Sequence, residues 1–147
     1  MRKEGFTLIE ILITLLVIAI LASMAIPGFS KWMTKYKLEG DVKNLQGLLQ
    51  EARVLAFTQK KELTVNISNK QACIAENATN LKCIDLENAF NTYSIDIDKR
   101  GYFEDWISIF PTNTTLVNNL KPEYSCLTIT LLRVRLGEIN GTNCDVK

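Results

Sequence analysis

From Phe6 to Ile26 the chain carries 21 residues of which only Glu10 is charged. A run of this kind has no polar face, and its length meets the roughly 20 apolar residues that a membrane-crossing helix needs. Pro27-Gly28 interrupts it: proline removes a backbone donor and its ring clashes with the carbonyl four residues back, that of Ser23, so a kink or local melting is expected there. A second helical pattern follows, with Trp32, Tyr36, Val42, Leu45, Leu48 or Leu49, Ala52, Leu55 and Ala56 spaced by threes and fours on one stripe. Lys43 and Glu51 fill the opposite face. Both halves together predict a helix from Phe6 to about Phe57, about 78 Å long at 1.5 Å per residue.

From Lys61 the period changes to two. Leu63, Val65 and Ile67 share a face, as a half-buried strand requires. Asn69-Lys70 reads as a hairpin turn into a strand from Gln71 to Glu76. Further strands are expected at Thr92 to Ile97, Tyr102 to Phe110, Ser125 to Leu132 and Val134 to Ile139, with Arg100-Gly101 and Pro111 as turn signals. The predicted class is α+β: a long amino-terminal helix, membrane-embedded in its first half, packed on an antiparallel β-sheet domain.

Glu10 is the residue this pattern leaves unexplained. A lone carboxylate at the centre of a membrane helix costs roughly 2.5 to 3.5 kcal/mol on insertion scales. A plain anchor gives it no role. Nor does a secretory signal with Arg2 and Lys3 as its basic start and Ala22-Ser23-Met24-Ala25 as its cleavage site, whose apolar core is ordinarily only about 7 to 15 residues. The ordered stretch Gly5-Phe6-Thr7-Leu8-Ile9-Glu10, behind a short basic leader and ahead of the apolar run, resembles the start of type IV prepilins. That resemblance implies a leader of residues 1–5, cut between Gly5 and Phe6 by a prepilin peptidase that also methylates the new Phe6 amine. It further implies an assembly segment at 6–29 containing Glu10 and Pro27, and a soluble domain at 30–147, helical over 30–57 and β-rich over 61–147. Glu10 would help to neutralise the amine of a neighbouring subunit, and removal of either partner would leave a buried charge uncompensated.

The same resemblance implies a protein held first in the bacterial inner membrane, single-pass, with its carboxy-terminal domain outside the cytoplasm, and later in a pilus or pseudopilus. Its partners would be the peptidase, other pilin or pseudopilin subunits and, before assembly, membrane lipid. Charge counting is no guide to topology, since Arg2 and Lys3 face Lys31, Lys35 and Lys37 across the apolar run.

Composition narrows the function classes. The full chain has 17 basic and 16 acidic residues; without Arg2, Lys3 and Glu4 the side chains balance at 15 and 15, which argues against a strongly electrostatic surface overall. With no histidine there is no ordinary Ser-His or Cys-His pair, and no glycine-rich phosphate loop occurs, so neither an enzyme nor a cofactor is expected. Asp96, Asp98, Glu104 and Asp105 suggest a calcium loop only superficially, because the closing position is Ile107. Cys73, Cys83, Cys126 and Cys144 allow three pairings. In an exported protein disulfides are the default, and pairing of sequence neighbours, Cys73 with Cys83 and Cys126 with Cys144, is expected. Zinc is the rival, without histidine or a Cys-x-x-Cys pair to support it.

Arg133 and Arg135 are the remaining candidates. Alternation along a strand puts both guanidiniums on one face about 6.6 Å apart, a spacing suited to successive phosphates. Thr128 to Leu136 resembles the carboxy-terminal strand region of H-type minor pseudopilins and FimT-like minor pilins, some of which bind DNA through a Gly-Arg-x-Arg element. Leu132 stands here in place of that glycine. The expectation is a structural, minor subunit of a type IV pilus or type II secretion pseudopilus. The alternative is a DNA-binding minor pilin acting in uptake, with DNA as a partner. The bland reading of the strand places Leu132, Val134 and Leu136 inward and both arginines in solvent.

Overall fold

A computed structural model describes residues 7–147, without the side chains of residues 24–27 and 116. Helix α1 spans Leu8–Gln59 and is followed by β1 (Leu63–Glu76), β2 (Thr79–Ile97), β3 (Ile107–Ile109), α2 (Thr114–Leu120), β4 (Cys126–Thr130), β5 (Arg133–Asn140) and β6 (Asn143–Val146). The class is α+β, with a two-stranded antiparallel sheet β1-β2 and a four-stranded antiparallel sheet in the order β3-β4-β5-β6. The chain divides into two compact units, Met1–Thr34 and Lys35–Lys147.

In the first unit the described side chains of residues 8–23 are exposed on every face. Among the described residues no single helix is long and apolar enough to cross a membrane, and Leu8–Ser23 with Gly28–Gln59 meets that measure only as a bent pair. The backbone remains helical through residues 24–27. Proline there bends α1 without the local melting the sequence also allowed, since a helix can lose one internal hydrogen bond and keep its path.

In the second unit the helical stripe is buried from Leu38 onward: Val42, Leu45, Leu49, Ala52 and Ala56 have no exposed surface. Trp32 and Tyr36, expected on the same stripe, are 55% and 62% exposed. Periodicity identifies a face but not how far along it the sheet reaches. Among the described residues Asp41 is the one charged side chain that is buried, and its carboxylate accepts hydrogen bonds from Glu87 N at 3.1 Å and from Asn88 N and Nδ2, both at 2.8 Å. The arrangement satisfies a carboxylate that would otherwise be costly to bury and pins the middle of β2 to α1.

The largest departure from expectation is the hairpin. Asn69-Lys70 does not reverse the chain; β1 continues to Glu76, and the turn is Asn77-Ala78, both at positive φ, as a two-residue hairpin turn with matching twist requires. Asn69 does take a left-handed φ of 55°, but within register shifts on either side of it. Its turn preference is therefore spent on a bulge that bends the ladder. Beyond that bend the hairpin lies along α1, tied by Lys37–Glu87 and Lys82–Glu51 at 3.3 and 2.7 Å, while Lys61, just after α1, meets Glu76 at 3.0 Å.

Tyr102 to Phe110 yields only the short β3. Its start is drawn into a tight turn in which Gly101 has φ 77° and Gly101 N–H donates to Asp98 O. Leu131-Leu132 forms the β4–β5 turn instead of extending β4. Two elements were not anticipated: α2, which contributes the buried Val117, and β6, which pairs with β5 through a turn at Gly141-Thr142. Gly141, at the first turn position with φ 63°, was a legible hairpin signal.

Candidate functional site

Gly5 and Phe6, the predicted processing residues, lie outside the described residues. The first described residue, Thr7, caps α1. Its carbonyl accepts the N–H groups of Glu10 and Ile11 at 3.1 and 3.3 Å, and its hydroxyl accepts Glu10 N–H at 3.3 Å. Thr7-x-x-Glu10 has the spacing of a capping box, which puts Glu10 at the third helical position, where the helix dipole favours a negative charge. Sequence reasoning had found no local role for Glu10, although a threonine three residues before a glutamate was the available signal. Glu10 is exposed, within an apolar helix exposed all round. Pro27 lies in the helical stretch whose side chains are not described.

The second candidate is β5. Val134 is buried at 8% exposure while Arg133 and Arg135 on either side of it are exposed. Among the described residues, the ion pairs formed do not include either arginine. Leu132, which the bland reading turned inward, is 48% exposed because it sits in the turn. Three carbonyls two residues apart point to one edge of β5 and are all engaged. Leu132 O accepts from Arg53 Nη1 at 2.6 Å, Val134 O from Gln46 Nε2 at 3.2 Å, and Leu136 O from Lys147 N at 3.1 Å. Two side chains of α1 thereby cover the part of the edge that β6 does not reach, the usual way of blunting an exposed strand. Arg53 also donates through Nε to Gly101 O at 2.8 Å and lies 5.6 Å from the Phe103 ring. Gln46 and Arg53 are thus positioning residues for the arginine-bearing strand, and no pattern in the sequence marked them as such.

Both cysteine pairs lie within bonding distance, Cys73–Cys83 at 2.06 Å and Cys126–Cys144 at 1.98 Å. The first joins directly opposed residues of β1 and β2. The second connects β4 to β6 past the intervening β5, and it passes at Gly137: a Cβ built there would lie 2.7 Å from Cys144 Sγ and 2.7 Å from Asp145 O. Glycine is required at this position by space.

A cavity of about 490 Å³ opens between α2 and the β5–β6 hairpin, lined in part by Lys121, Glu138, Asn140, Asp145 and Lys147. Its charges are largely spent on one another: Lys147 contacts Glu138 at 2.8 Å, which raises the lysine above its ordinary pKa, and Asn140 donates to Asp145 at 2.9 Å. Among the described residues no group of three or more potential metal ligands is gathered.

Comparison with known proteins bears on the amino-terminal half. Residues 1–26 match the family model of the prokaryotic N-terminal methylation motif. The chain is 35% identical over 69 residues to the type IV major pilin protein PilA of Myxococcus xanthus (strain DK1622), a match that covers 47% of this chain and 30% of that relative. The chain thus spans under a third of the length of the curated relative it matches. No solved structure matches it. The amino terminus carries a type IV prepilin motif, and the chain is similar to type IV pilins.

Proposed function

We propose that this chain is a structural, non-enzymatic subunit, of the minor class, of a type IV pilus or type II secretion pseudopilus. It is cleaved after Gly5, methylated on Phe6, held in the bacterial inner membrane by a single pass with its carboxy-terminal domain outside, and then assembled through its apolar helix. The observation that supports this most is the motif Gly5 to Glu10 at the head of a helix that is apolar on every side and buries none of its described side chains over residues 8–23. In this reading residues 1–5 are the leader and the cut frees an ammonium one helical turn from Glu10, which pairs with the amine of a neighbouring subunit at the moment both leave lipid.

The mass of the first peptide of the native protein tests the processing. A methylated Phe6 start is expected, and a start at Ile26 would identify a conventional signal instead. Glu10→Gln is expected to reduce incorporation into filaments while the outer domain unfolds at the wild-type temperature. Normal incorporation would remove the assembly role and leave Glu10 as a capping residue only.

A second reading is favoured by Arg133 and Arg135, two exposed cations on an ordered strand outside the ion pairs among the described residues. In it the filament subunit also binds DNA during uptake. Affinity for DNA should then fall with salt at a slope near one per phosphate contact and shrink when both arginines are replaced by alanine. A variant that assembles normally yet takes up no DNA would favour this reading over a purely structural one.

A further inference from the structure

Trp106 is 80% exposed, an unusual position for a large aromatic side chain, and it immediately precedes β3. On its carboxyl side Ile107 pairs with Ile129; on its amino side Phe103 N–H donates to Leu131 O at 3.1 Å. Three residues, 104–106, span the distance that Thr130 alone spans on β4, so the segment bulges; the register of β3 carried back one residue from the Ile107–Ile129 pair sets Trp106 opposite Thr130, and Thr130 pairs with Arg133. The next row on the same face is Ser108, Thr128 and Arg135, with Ser108 Oγ and Thr128 Oγ1 3.3 Å apart and Thr128 paired with Arg135. Ile129, between the two threonines, is fully buried on the other face. With strands about 4.8 Å apart, the indole stands about 10 Å across the sheet from Arg133.

We propose that this outer face is a stacking platform for single-stranded nucleic acid, with Trp106 receiving a base and Arg133 and Arg135 following the adjacent phosphates. The inference rests on the DNA-binding reading above and deepens it. A flat π surface beside two cations matches the chemistry of an unpaired strand, which offers a base face and a phosphate within one nucleotide. The distribution of charge favours one strand over two. The exposed Glu104 and Asp105 immediately precede Trp106 in the chain, whereas the arginines stand on β5, two strands away from β3. A duplex presents two phosphate rows across a wide footprint and would meet those carboxylates; a single strand meets only the arginine side. Ser108, Thr128 and Thr130 supply hydroxyls between, which suit sugar and base edges of any sequence.

The test uses the full chain in detergent micelles, with fluorescence anisotropy of a labelled oligothymidylate of about twelve nucleotides and of a duplex of equal length at fixed salt. Tighter binding of the single strand is expected. Trp106→Ala should weaken it about tenfold, as loss of one stacked base does, with little change for the duplex and no change in unfolding temperature. Trp106→Phe should restore most of the loss. Replacing Arg133 and Arg135 together by alanine should weaken binding of both ligands and lower the single-strand salt slope by about 1.4, or 0.7 for each lost contact. If the arginine variant loses binding while Trp106→Ala keeps full single-strand affinity, the platform is overturned and the DNA reading stands. If the wild-type chain binds neither oligonucleotide, both fall. If Trp106→Ala leaves oligonucleotide binding intact and instead prevents incorporation into filaments, the indole is a subunit contact and the platform is again overturned.

Discussion

The two halves of α1 both carry leucines at helical spacing, denser in the first half, and give them opposite fates. Leu12 is 53% exposed and Leu16 55%, while Leu45 and Leu49 have no exposed surface at all. The difference lies in the polar residues between them. In the second half Lys43, Asn44, Gly47 and Glu51 define a face that water can keep, so the apolar stripe has one direction to turn and joins a core shared with both sheets. In the first half no such face exists, and none of the described side chains over residues 8–23 is buried. The helix thus changes character because the distribution of its polar residues changes partway along.

Several measurements would break or sharpen that contrast. Leu45→Ala should destabilise the outer domain by about 2 to 5 kcal/mol through lost burial and the cavity left behind, whereas Leu12→Ala should leave its denaturation midpoint in detergent unchanged. Equal effects would mean that the halves are not energetically separate. Replacing Cys126 and Cys144 by serine should cost about 2 to 4 kcal/mol, again only in the outer domain, because all four cysteines lie there. Asp41→Ala leaves the backbone N–H groups of Glu87 and Asn88 without their acceptor, and about 1 to 3 kcal/mol should be lost, with earlier hydrogen exchange in the middle of β2.

The smallest effect expected is one of pH. The Asp98 carboxyl sits below its ordinary value of 3.8, held down chiefly by Tyr102 N–H; desolvation opposes this next, and the Arg100 guanidinium and N–H lower it further. A lowered folded pKa means that this contribution is complete above 3.8 and fades as the pH falls through the folded value. Acid titration should therefore loosen the 98–102 turn first, and Asp98→Asn should remove that pH dependence. Unchanged acid sensitivity in the variant would assign the loss to other carboxylates.

Much of this organisation was legible in one dimension. The apolar run, the interruption at Pro27, the stripe from Val42 to Ala56 and the strand beginning at Leu63 all follow from periods of 3.6 and 2, which a helix and a strand impose on whatever faces the core. The Asn69 turn was misplaced because the left-handed preference of asparagine serves a bulge as readily as a hairpin, and only the pairing partner tells the two apart. Ser125 to Leu132 overran its strand because leucine at a turn reads as core. Arg133 and Arg135 could be put on one face from alternation alone, yet Trp106, which the proposed platform sets beside them, could not be joined to them across 27 residues of sequence.

By itself, then, the order of residues determined where the chain is apolar on all sides, where on one, and that a capped carboxylate heads the first of these. Those are local properties, set by spacing within a few turns or a few strand positions. Which carbonyls of β5 the side chains of Gln46 and Arg53 would cover, where Gly137 must make room for a disulfide, and which exposed groups share the outer sheet were decided only by the tertiary structure. Strand register and helix docking bring together residues whose sequence separation carries no signal of the contact.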